Sequence, residues 1–360
     1  MEGRKLQKVG YSTFTISLPA EWIKQTGLKK GDVVIFRYEK DGSLRLMPVE
    51  MVKSKKETEH VTINLDLRED PKLLERLIVG CYILGYKTIT ISSQGKIHGK
   101  YLSAIRNATF RLAGLSIMDE KPNVIALYCS VDPTTAPLIT MVRRLFTITI
   151  TMYNEVLEAL SDFNFSIAKE VLNREFEADM LYWLILRIII LSEKDASIAE
   201  KVGVKEMRHL LSYRVIVKDL ESVGDYLASI AEYLTIMEKK HKKPSKNVAN
   251  ELHRIGEIAL KIFSDAFEGL VNEDLKKANK SIEEGKKFEA EEEENVNRIM
   301  RGIGDPETAA VVRCISRAFQ MISDYGISIA HVAINRYVEK PGRIITILLP
   351  RPAEPVFEEH

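Results

Sequence analysis

A chain of 360 residues with 45% hydrophobic residues can bury two or three cores, and its net charge of +1 excludes a global field for nucleic acid or membrane, so any basic patch must be local. Three cysteines without a Cys-x-x-Cys pair exclude a disulfide frame or zinc ribbon and fit a reducing cytosol. The first residues carry no apolar leader, and the most apolar run, 183–191, contains Arg187 and falls far short of the ~20 residues that span a bilayer. The expectation is a cytoplasmic protein without membrane insertion.

Residues 1–50 read as a small β unit. Alternation predicts a strand over 14–19, stopped by Pro19, and at most two helical turns over 20–25, ended by Gly27. A second strand is predicted over 33–38, a tight hairpin at Asp41-Gly42 and a return strand over 44–48. So little apolar surface makes no core alone, so the unit should dimerise or interlock. Its first 40 residues hold eight cations, among them Arg4, Lys5, Lys8 and Lys24, against four acids, which suits phosphate contacts.

Residues 51–58 are a charged linker. From 59 to 133 the predicted order is βαβαββ, a small α/β domain. Strands are expected over 61–65, 88–91, 116–119 and 124–129. One helix opens at Asp70-Pro71 with the apolar face Leu73, Leu74, Leu77, Ile78, Cys81 and Leu84; the other spans 100–113. The glycines near His98 are too loosely spaced for a phosphate loop.

Residues 134–340 are predicted as six helices, over 137–160, 166–191, 204–238, 247–271, 273–300 and 307–337. A charged break at 239–245 separates residues 134–240 from 244–340. Asp225-Tyr226 recurs as Asp324-Tyr325, and Ser-Ile-Ala at 229–231 recurs at 328–330, so the two halves read as a duplication. A last strand is expected over 342–350, pairing with the middle sheet or a partner chain.

Two helices carry acids four apart, Glu175/Asp179 and Glu221/Asp225. Such pairs project from one side of a helix, and an antiparallel hairpin would bring both pairs to one level. Four converging carboxylates repel unless they are protonated or hold a cation, and an all-oxygen site suits iron, manganese or magnesium better than zinc. The same pattern also describes solvated faces of long amphipathic helices.

Two resemblances add to this. Lys8-Val9-Gly10, residues 14–19 and 27–34, and Asp41-Gly42-Ser43-Leu44 resemble the SpoVT/AbrB swapped-hairpin domain. That implies a homodimer with its basic face on DNA. Leu220-Glu221-Ser222-Val223-Gly224-Asp225-Tyr226 and the duplication resemble the PhoU family of two tandem three-helix bundles. That resemblance implies metal held by Glu175, Asp179, Glu221 and Asp225, and by Asp324 in the second repeat. There Gln320 stands in place of an acid, and Glu283 or Glu289 would be the partner. The fold class is then multidomain and mainly α: a swapped-hairpin β unit, a small α/β domain and two three-helix bundles. The whole chain looks like the archaeal-type phosphate uptake regulators, with DNA and a phosphate transporter or signalling protein as partners. A carboxylate-bundle enzyme and a metal-free scaffold are the alternatives. Glu206-x-x-His209, at a helix start, has the Glu-x-x-His spacing that such an enzyme uses on two helices, and the other repeat offers no equivalent.

Overall fold

Long amphipathic helices build most of the chain, and a four-stranded sheet and two small hairpins precede them. The computed structural model describes residues 3–38, 42–49, 59–162, 165–301, 303–341 and 344–345. The expected linker over 51–58, Asp41 of the expected hairpin and nearly all of the expected strand over 342–350 lie outside the described residues.

In the N-terminal unit, β1 (Gln7–Val9) pairs antiparallel with β2 (Thr13–Thr15), placing Lys8 opposite Phe14. The strand expected over 14–19 is therefore shorter and starts earlier. Gly10, at φ +72°, turns the chain after Val9, and β1 has no residues left to pair with 16–18. Helix α1 (Ala20–Thr26) closes on Gly27 in the left-handed region, and β3 (Val34–Tyr38) pairs with β4 (Leu44–Pro48). Leu6, Val9, Phe14, Ile16, Val33, Phe36 and Leu44 are all at least half exposed. A pair of two-stranded sheets this small leaves its apolar side chains uncovered within one chain.

The α/β unit follows the expected order: β5 (His60–Leu65), α2 (Pro71–Ile83), β6 (Thr88–Ser93), α3 (Lys100–Arg111), β7 (Leu115–Lys121) and β8 (Val124–Cys129). The sheet order is β5-β6-β8-β7, with β5 and β6 parallel and β8 antiparallel to both its neighbours. Asp70 caps α2 by accepting from the Lys72 amide, and Pro71 occupies the first turn, where a missing N–H costs nothing. Leu74, Ile78 and Tyr82 of α2 and Tyr101, Ile105 and Ala108 of α3 bury against Ile89, Ile91, Ile125 and Leu127. Only half of the apolar face expected for α2 is covered; Leu73, Leu77 and Leu84 stay exposed.

The helical region comprises α4 (Leu138–Asp162), α5 (Phe165–Lys194), α6 (Ala196–Lys201), α7 (His209–Lys239), α8 (Lys246–Val271), α9 (Leu275–Ala290), α10 (Glu292–Met300) and α11 (Pro306–Val338). Two of the six expected helices are divided or shortened. The helix expected from 204 begins at His209, because Asp195 caps a separate α6 through the Ser197 amide and Gly203, at φ +79°, turns the chain behind it. The helix expected over 273–300 breaks at Glu291, inside the acidic run 289–294, where like charges three and four apart repel.

The two repeats share one core. Tyr153 of α4 stacks on Phe319 of α11 at 5.9 Å and donates to the Gly256 carbonyl of α8 at 2.9 Å. Gly326 brings α11 onto the backbone of Phe263, and the duplicated tyrosines Tyr226 and Tyr325 meet at 6.1 Å between α7 and α11. No described helix is long and apolar enough to cross a membrane.

Helix α5 also serves the α/β core, and Trp183 packs against both. Arg187, which interrupts the apolar run, is buried. Its guanidinium donates to the Tyr82 and Gly85 carbonyls at the end of α2 and lies 4.9 Å from the Tyr82 ring. Lys194 donates to the Leu84 carbonyl at 2.6 Å.

Candidate metal centre

Glu175 and Asp179 stand one turn apart on α5, and Asp225 of α7 faces them. One carboxylate oxygen from each lies within 4.8 Å of the others. Asp179 is buried, Glu175 half-buried and Asp225 exposed at the mouth. The sequence-level spacing thus brings together three of the four acids that it singled out in the first repeat.

The cost of that convergence shows in the protonation of the acids. Burial, then the charges of Asp179 and Asp225, push Glu175 up to about 7, against the pull of Arg111. Burial of its carboxyl, then Glu221 and Asp179, raise Asp225 to about 6, against the pull of Lys218, and its open position screens that effect. The unfolded chain releases the Glu175 proton near 4.5, so between there and about 7 the folded state binds more protons. Stability of the metal-free protein therefore falls as pH rises through that window and stays low above it. Glu175→Gln removes the loss. In chelator, thermal melts of the variant should show a gain on the order of 1–2 kcal/mol at about pH 8, discounted for solvent screening, and none at about pH 4. An equal shift at both pH values would assign the effect to packing.

Glu221 is not in the group. It pairs with Lys218, three residues before it on the same helix, and accepts from the Ser222 hydroxyl at 3.4 Å. The nearest cation on its own helix takes it, a competition that acid spacing alone does not reveal. Among the described residues Asp324 belongs to no group of three or more potential ligands, and Gln320, fully buried, donates to it at 3.0 Å. Glu283 and Glu289 point outward, while Ser281, Gly285 and Phe288 form the inner face of α9. Gly285 lies against Ile327 and Ser323 of α11, so side-chain packing fills the level where acids stand in the first repeat. Among the described residues, Glu175, Asp179 and Asp225 form the one group of three or more potential ligands.

The residue that sequence reasoning missed is Arg111, in the last turn of α3. Its Nη2 donates to Asp179 Oδ2 at 2.6 Å, and its Nη1 lies 3.9 Å from Glu75 of α2. The only local signal was a basic residue at a helix C-terminus, where the helix dipole favours it. Its partner is 68 residues away. The residues present fit a hard divalent cation. All three donors are carboxylates, and a cationic side chain already sits on one of them. Glu175, Asp179 and Asp225 would hold such an ion, which would neutralise their mutual repulsion and tie α5 to α7.

In the N-terminal unit Arg4, Lys5, Lys8 and Lys24 are all exposed, Lys8 on β1 and Lys24 in the last turn of α1.

The PhoU domain model matches residues 142–234 and 252–333, once per repeat. The model for MazE, described as antidote-toxin recognition, bacterial antitoxin, matches residues 7–54. No curated protein matches the chain. Among solved structures, the crystal structure of the phosphate transport system regulatory protein PhoU from Streptococcus pneumoniae is similar over 56% of this chain and 94% of that one, at 16% identity and a TM-score of 0.47. The chain thus carries two matches to the PhoU domain, set behind an α/β unit and an N-terminal unit that matches the MazE model.

Proposed function

We propose that the protein regulates phosphate uptake or phosphate signalling, as a cytoplasmic homodimer. Its N-terminal unit binds DNA through a surface that includes Arg4, Lys5, Lys8 and Lys24, and its first PhoU repeat holds a divalent cation on Glu175, Asp179 and Asp225. The observation that carries the metal part is the convergence of those three carboxylates between α5 and α7. The uncovered apolar residues of the two hairpins support a second copy as their cover. The partner on the phosphate side is a transporter component or signalling protein, and the role is regulatory rather than enzymatic.

The Arg111–Asp179 ion pair favours one other reading, a metal-free scaffold in which an arginine is the permanent counter-charge. One preparation decides between them. Full-length protein purified without chelator should carry about one iron, manganese or magnesium per chain, lost in the Asp179→Asn/Asp225→Asn double variant. The same sample should bind duplex DNA with an affinity that falls as salt rises, and Lys5→Ala/Lys8→Ala should flatten the slope by about one unit for each phosphate contact removed. Wild-type protein without metal sinks the cation site and leaves the scaffold. DNA affinity no better than a neutral control at low salt sinks the DNA role.

A further inference from the structure

Helix α5 presents one continuous stripe to the α/β unit. Phe176 stacks on Phe110 at 4.8 Å, Asp179 accepts from Arg111, Trp183 packs against the α/β core, Arg187 and Lys194 reach the carbonyls of Gly85 and Leu84 just beyond α2, and Leu191 packs on Gly85. The two ends of this seat differ in kind. At the Arg187 end the polar contacts are directed at backbone, and Arg187 itself is buried although the Lys194–Leu84 bond is exposed. At the Asp179 end they are between side chains, with Arg111 44% and Phe110 72% exposed. The Asp179 end is therefore the one that can open without unfolding either core. Asp179 belongs both to this seat and to the carboxylate group of the candidate metal centre.

We propose that Arg111 is an internal counter-ion that a divalent cation displaces, so that loading the carboxylate group releases the α3 end of the α/β unit from α5. The inference rests on the cation site proposed above. A cation drawn to Glu175, Asp179 and Asp225 meets a guanidinium already bonded to one of its ligands. Even a cation that took the other Asp179 oxygen would lie within a few ångströms of that guanidinium, and like charges at such range weaken each other's hold. Glu75, on the same unit as Arg111, gives the displaced guanidinium an acid to turn to. Cation binding and the seating of the unit then oppose each other, and by linkage each weakens the other equally.

The test uses the full chain, stripped with chelator and dialysed, titrated calorimetrically with Mn²⁺ as wild type, Arg111→Gln and Arg111→Lys. Arg111→Gln should bind Mn²⁺ about fivefold or more tightly than wild type, and Arg111→Lys, which keeps the charge, should stay nearer wild type. Hydrogen exchange supplies an independent readout on the wild type alone. Saturating Mn²⁺ should speed exchange in the last turns of α3 and leave the Leu84–Gly85 end of the seat unchanged. In Arg111→Gln those turns should already exchange fast and not respond. Equal or weaker Mn²⁺ binding by Arg111→Gln, or a wild-type α3 blind to Mn²⁺, overturns the counter-ion role while the cation site stands. Failure of both wild type and Arg111→Gln to take up Mn²⁺ overturns the site itself, and this role with it.

Discussion

Arg187→Ala should split the melting of this protein in two, with the α/β unit unfolding before the bundle. The guanidinium is buried and has no carboxylate partner among the described residues, so its own desolvation is a cost. The interactions that offset that cost are larger. It bonds the carbonyls of Tyr82 and Gly85, where α2 ends and its dipole is negative, and it covers the Tyr82 ring. Alanine leaves the Gly85 carbonyl without that donor and opens a cavity over the Tyr82 ring, a combined loss of about 3 kcal/mol in the seat. Arg187→Met refills most of the cavity without restoring the bonds, so it should recover part of the loss. Calorimetry reads both. A single transition at the wild-type temperature for the alanine variant would show that the α/β unit does not depend on α5.

Gly326→Val should strongly destabilise the tandem repeats. Any Cβ at 326 would stand 3.0 Å from Phe263 Cα and 3.2 Å from Phe263 N, and backbone cannot step aside as a side-chain tip can. α8 and α11 would have to separate, loosening the core that joins the repeats, at a cost of about 3–4 kcal/mol. Gly224, in the corresponding motif of the first repeat, gives the contrast. Nothing lies within 4 Å of a Cβ built there. Gly224→Ala should therefore gain about 0.5–1 kcal/mol from helix propensity and reduced unfolded-state entropy. Urea titrations of the two variants should move the midpoint in opposite directions; a shift of the same sign in both would refute the packing argument.

Much of the architecture could be read from local chemistry. The Asp70-Pro71 start of α2, the Gly27 end of α1 and the echo of Asp225-Tyr226 in Asp324-Tyr325 each depend on a few neighbouring residues, and the structure follows them. Glu175 and Asp179 met Asp225 because helical spacing and an antiparallel hairpin together set their level. The errors arose where a competitor lay off the pattern. Lys218 drew Glu221 aside, like charge divided the helix at Glu291, and Gly285 let α11 occupy the level expected for acids in the second repeat. Arg111 could not be found by periodicity, since its partner belongs to a different unit.

That α5 completes two cores at once has a consequence for synthesis. Translation delivers residues 59–133 before the helix that carries Trp183 and Arg187 exists. The α/β unit has its own buried core, so it can close while the ribosome is still at work, with the end of α2 bare. The emerging α5 then meets a finished surface, and its position on that surface orients the bundle assembled later. A pause between residues 133 and 183 would prolong the interval in which Leu84 and Gly85 lie open to chaperones or to a neighbouring nascent chain.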